Sequence, residues 1–134
     1  MRIATSEIAE FLKDLVKTQY KVTFVGGVDK LDINRLAKPI VVITPTRTEL
    51  RTVAPAHIYE VQDTFTFYII ATNPAEKQTV TEGVVNLLLN AAFNPNISGI
   101  QPKLLQVGEI LWVTDTDTTF EIAQVTVTAT YLTP

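Results

Sequence analysis

The segment TDTDTTFEIAQVTVTATYL, residues 114–132, sets Asp115 and Asp117 two apart among threonines. Paired carboxylates are the first requirement of a hard divalent cation, which takes oxygen ligands. A calcium loop starting at Asp115 needs glycine at its sixth position and a bidentate glutamate at its twelfth, where this chain has Phe120 and Thr126. Two carboxylates alone do not offset the dehydration of a cation, whereas aspartates in a turn readily accept backbone N–H bonds. A turn is therefore expected, and no metal site.

Other reactive residue types are sparse. His57 is the only histidine and there is no cysteine, so no zinc set, thiolate nucleophile or disulfide can be built. Ser6 and Ser98 lie outside any G-x-S-x-G elbow, and VGGVDKLD, with Gly26-Gly27, has neither of the glycine spacings that cradle phosphate. Glu60 with Asp63, or Glu109 with Glu121, are the carboxylate pairs available for acid/base work, but nothing in the sequence separates their pKa values. The reading is that of a protein with no catalytic residue, cofactor or metal. A small metal-dependent enzyme using Asp115, Asp117, Glu109 or His57 is the alternative of a different class.

Net charge is −3 with eleven dispersed basic residues, which argues against condensation on nucleic-acid phosphates. The aromatic residues, Trp112 among them, are not interleaved with basic ones as a single-strand platform needs, and read as packing. The opening MRIATSEIAEFLKDLVK is broken by charge every few residues, unlike a signal peptide or a spanning helix, so a cytoplasmic site of synthesis is expected and no membrane partner. With 134 residues, 46% of them hydrophobic, one domain covering residues 1–134 is expected.

These side chains need elements to hold them. Ile8, Phe11, Leu12, Leu15 and Val16 recur at helical spacing behind Thr5 or Ser6 as N-cap, giving an amphipathic helix. KVTFV (21–25) reads as a first strand and PIVVIT (39–44) as a second, buried one. PTRTELRTVAP (45–55) sustains no apolar period and reads as a long loop or projecting arm, with Arg47, Glu49 and Arg51 at a two-residue spacing that an extended ribbon would also give. Residues 57–72 alternate as a long half-buried strand ending at Asn73-Pro74, where a second helix starts and buries Val80, Val84, Leu87, Leu88 and Ala91. Residues 104–113, with a bulge at Gly108, and 119–132 form a hairpin turning at 115–118. The fold class is α+β, an antiparallel-rich sheet of about five strands with two helices packed on it, in the order α-β-β-β-α-β-β.

The segment DTFTFYIIATNPAEKQTVTEGVVNLLLNAAF, followed by the alternating hairpin, resembles the Gp37-like family of phage tail proteins and, more broadly, the tail terminator proteins. The resemblance covers most of the chain: amphipathic helix, buried strand, variable arm, long strand with an Asn-containing turn, second helix and closing hairpin. It implies a non-catalytic virion protein, assembled in the host cytoplasm, that forms a ring, expected to be a hexamer, on the last ring of the tail tube. The implied partners are further copies of the chain, the tail tube protein, a neck or head-completion protein and, in a contractile tail, the sheath protein. A head–tail joining or neck adaptor is the nearest alternative.

On this reading Arg47, Glu49, Leu50 and Arg51 on the arm touch a neighbouring subunit or the tube. In the last strand the apolar phase shifts: Phe120 and Ile122 share one parity, and Ala123, Val125, Val127, Ala129 and Tyr131 share the other, so a bulge near Ile122 is expected. Thr126, Thr128 and Thr130 then form a polar row suited to solvent or to a subunit contact.

Overall fold

The computed structural model describes residues 2–24, 32, 35–53, 57–113 and 120–134. The elements run α1 (Thr5–Lys17), β1 (Val22–Phe24), β2 (Ile40–Val53), β3 (Ile58–Ala71), α2 (Pro74–Asn90), β4 (Gln101–Val113) and β5 (Glu121–Thr133). This is the expected α+β order. The strands form one sheet in the order β1-β2-β3-β5-β4. β1 runs parallel to β2, and the other three pairs are antiparallel.

Each helix forms where its sequence provides one apolar stripe. In α1 the stripe is Ile8, Ala9, Leu12 and Val16, all buried, and Glu7 and Lys17 sit at the ends that favour their charges. Neither Thr5 nor Ser6 caps this helix: the N-cap is Ala4, without a side-chain bond, and the Thr5 hydroxyl donates instead to Asp63 Oδ1 at 2.9 Å. α2 starts as its sequence predicts. Asn73 accepts from the Glu76 N–H at 2.8 Å, Pro74 opens the first turn, and Glu76 reaches back to accept from the Thr72 N–H at 2.9 Å.

Both helices lie on one face of the sheet. The core between the layers gathers Ile8, Leu12 and Val16 of α1, Val80, Val84 and Leu88 of α2, and the strand residues Val41, Ile43, Phe65, Phe67, Ile69, Val125 and Val127. Burying side chains of this size is worth about 1.5–3 kcal/mol each, which makes this layer contact the main stabilising feature of the fold. Among the described residues no α-helix lies on the sheet's other face. At one end of it Ile40, Val42 and Ile70 form a smaller apolar cluster with Leu36, Tyr68, Phe120 and Ile122 packed against them.

Two further expectations are corrected here. Residues 45–53 are neither loop nor arm: they are the second half of β2, paired with β3 from Arg47↔Thr64 to Val53↔Ile58 after a bulge at Thr46. The backbone pairing makes the strand, while exposure on both faces removes the apolar alternation that would have announced it. No bulge occurs near Ile122, since β3 and β5 keep one register from Ala71↔Glu121 to Tyr59↔Thr133. The phase changes because Ile122 serves the small cluster on the open face and Ala123 the main core. Within the β4–β5 hairpin the bulges lie in β4 instead, at Lys103 and at Gly108, the second where the sequence suggests it.

Candidate functional site

The sheet pairing sorts the polar residues into two faces. On the helix-covered face Asp63 is fully buried and accepts hydrogen bonds from the hydroxyls of Thr5 (2.9 Å), Thr48 (2.6 Å) and Tyr131 (2.8 Å). The Tyr131 hydroxyl in turn accepts from the Ala4 N–H at 3.0 Å. Burial raises the Tyr131 pKa above its ordinary value of 10.0; the Ala4 N–H works against that rise and the nearby Asp63 carboxylate adds to it. The network ties the start of α1 to β2, β3 and β5. Every acceptor site it offers is turned inward, away from solvent, which suits a structural pin.

The open face is polar and rich in threonine. Following the pairing across the sheet, Thr44 stands level with Thr66, Thr126 and Glu109. The next row is Arg47, Thr64, Thr128 and Gln106, and the next is Glu49, Gln62, Thr130 and Leu104. Thr64 and Thr128 share a hydroxyl–hydroxyl contact of 3.3 Å. Thr126 and Thr128 are half-buried on this face, as a polar row should be, but Thr130 is buried and cannot offer its hydroxyl to a partner.

At the far end of this face the buried Glu60 carboxylate sits between two cations from opposite sides of the sheet, Arg51 of β2 at 3.5 Å and Lys103 of the β4 bulge at 3.1 Å. Arg47 pairs with Glu49 along β2. Glu49, Leu50, Arg51, Glu60 and Gln62 line a hollow of about 250 Å³. Thus Arg47, Glu49 and Arg51 share the open face, and Leu50 points to the other side with 48% of its surface exposed.

Among the described residues the sheet has two free edges. β1 covers only Val41–Ile43 of β2, so among the described residues nothing pairs with the outer side of β2 from Thr44 to Val53. Nothing among them pairs with the outer side of β4 either, and that strand exposes Leu104 (47%), Leu111 (50%) and Trp112 (44%). Trp112, read from sequence as packing, is thus half in solvent, beside Pro74, Lys77 and Gln78 of α2. Sequence reasoning does not single out Leu104, Leu111 or Lys103, and it considers Glu60 only as an acid/base partner of Asp63, not as the anion between two cations. The signal for the leucines was their polar-parity position on an otherwise alternating strand.

The carboxylate pairs do not converge. Glu60 and Asp63 are three residues apart in β3 and so point to opposite faces. Glu109 lies on the open face, and Glu121 on the other, paired with the buried Lys77 of α2 at 3.1 Å. His57 is exposed in the β2–β3 turn with φ of 86°. Among the described residues no three His, Cys, Asp or Glu side chains are grouped as a metal requires. Asp115, Asp117 and Gly26-Gly27 lie outside the described residues. Among the described residues no helix is long and apolar enough to cross a membrane.

No protein-family model matches the chain, and no curated protein matches it. Among solved structures, that of the bacteriophage SPP1 gp17 protein is similar, with a TM-score of 0.52 at 16% sequence identity. The likeness spans 96% of this chain and 91% of that one, so the two share a fold along nearly their whole lengths.

Proposed function

We propose that this chain is a non-catalytic structural protein of a bacteriophage tail, acting as one domain of 134 residues. Its role is that of the terminator, a ring that caps the tail tube and joins it to the neck. The observation that carries this reading is the near full-length likeness to a phage protein. The functional features of the molecule support it: an open polar face and two edges unpaired among the described residues suit broad contact with other subunits, while the acidic pairs considered for chemistry are held apart. The contact residues on this reading are Arg47, Glu49, Leu50 and Arg51 on β2, with Thr126 and Thr128 on the open face. The partners are further copies of the chain, the tube protein and a neck protein, and the protein resides in the virion after assembly in the host cytoplasm.

Growing tubes of the cognate tube protein, with and without this chain, test the reading. The expected result is tubes of arrested length bearing an added ring at one end in electron micrographs, and an oligomer by mass measurement. Tubes that keep growing with a monomer left in solution would overturn it. A ring that binds neck proteins but not tube ends would assign the neck adaptor role instead.

A further inference from the structure

We propose that the outer edge of β2 beyond Ile43 pairs with the outer edge of β4 in a second copy of this chain, head to tail and antiparallel. One sheet then continues from subunit to subunit. The inference rests on the ring reading only for closure of the series; the pairing itself follows from strand direction, charge and exposure.

Direction comes first. β2 and β5 run one way, and β3 and β4 the other. A copy rotated about an axis along the strands therefore brings its β2 against β4 in antiparallel sense, the same arrangement as the other long strand pairs of this sheet. Edge strands of monomers are usually blunted by charge, proline or cover. Both edges carry such devices, Pro45, the Thr46 bulge, Arg47, Glu49 and Arg51 on β2 and Pro102, Lys103, Glu109 and two bulges on β4, but β4 also exposes Leu104, Leu111 and Trp112, and the distal half of β2 exposes Leu50.

Charge then bears on the register. With the copies at equal height, Glu49 of one meets Leu104 of the next, beside Lys103, whose side chain is on the open face with Glu60; Arg51 comes level with Gln101, on the other side of Lys103, with its charge paired to Glu60 of its own subunit. Arg47 meets Gln106, with Glu109 the next charged residue along that face of β4. On the helix side, Leu50 arrives level with Pro102, next to Leu105. Opposite charges and apolar residues facing one another across an antiparallel pair stabilise it, and like charges oppose it.

The absence of native cysteine makes the test direct. Within one subunit Arg47 and Gln106 lie in the same row but three strand spacings apart, roughly 14 Å. That is about twice the Cα separation a disulfide tolerates, so only contacts between copies can join them. The full-length Arg47→Cys/Gln106→Cys variant, oxidised at high protein concentration, should give a ladder of covalent dimers, trimers and higher species. A mixture of the two single variants should stop at heterodimers, and each single variant alone should stay uncrosslinked. Adding Glu49→Lys should cut the ladder yield about two- to five-fold by setting like charges against Lys103.

A folded double variant, judged by circular dichroism, that gives no ladder overturns the pairing, as does a Gln106→Cys single variant that dimerises through β4 alone. A ring seen by mass measurement of the unaltered chain with no ladder leaves the ring reading standing and removes the edge pairing. A ladder of open chains without a ring does the reverse.

Discussion

At the scale of single residues, Asp63 shows how spacing decides between chemistry and structure. Glu60 and Asp63 stand three apart, and in a strand that separation sends them to opposite faces, so they cannot share a proton. This much follows from the sequence once the strand is recognised. The partners of Asp63 do not, because Thr5 and Tyr131 lie 58 and 68 residues away along the chain. Tyr131→Phe removes one donor to the carboxylate and leaves the buried Ala4 N–H without its acceptor, a loss expected at about 1–3 kcal/mol in denaturant unfolding. The same residue sets an alkaline limit. Its folded pKa lies above 10.0, so the folded state holds the phenolic proton more tightly than the unfolded chain. That contribution is complete below the unfolded value and is lost as pH rises from there toward the folded one. Stability of the native chain should therefore fall more steeply above about pH 10 than that of Tyr131→Phe, by at most ~1.4 kcal/mol per pH unit. Equal slopes in the two proteins would show that the phenol does not carry the effect.

At the scale of elements, the apolar period reports what covers a strand more faithfully than it reports the strand. Residues 40–44 read as buried because α1 and the small cluster cover their two faces. Residues 46–52 are equally extended and equally paired, but exposed, so their alternation is one of charge against threonine and leucine, which carries no apolar period to mark a strand. The second helix was legible because Asn73, Pro74 and Glu76 cap it locally. Its packing was not. Gly83 in the middle of α2 leaves room for the Tyr20 ring: a Cβ there would stand 1.8 Å from the Tyr20 hydroxyl and 2.9 Å from Cζ. Alanine is otherwise the better helix former by about 1 kcal/mol. Gly83→Ala should thus destabilise the native chain by about 1–2 kcal/mol as Tyr20 is pushed off its seat. In a Tyr20→Ala background the same substitution should stabilise it by about 0.5–1 kcal/mol. The change of sign between backgrounds, measured by urea unfolding, is the check; one sign in both would mean that Tyr20 does not occupy the space the glycine leaves.

At the scale of the whole molecule, strand order is the part least available to sequence. The hairpin of β4 and β5 is local, but β5 also inserts beside β3, and β1 joins β2 in parallel; both depend on contacts distant in the chain. That order creates the asymmetry on which the proposed function depends: helices on one face, polar residues on the other, and a free edge at each side among the described residues. Amide exchange should display this directly. β3 and β5 have strands on both sides and residues of the main core on one face, so their amides should be the slowest to exchange. Among the described residues Thr44–Val53 and β4 have a partner on one side only, and the half of their N–H groups that point outward should exchange orders of magnitude faster than those of β3. If subunits join through these edges, assembly should slow exchange at both together, in alternate residues, while the central strands change little. Protection gained on the open face, or at the α1–α2 side, without a change at either edge would place the subunit contact elsewhere.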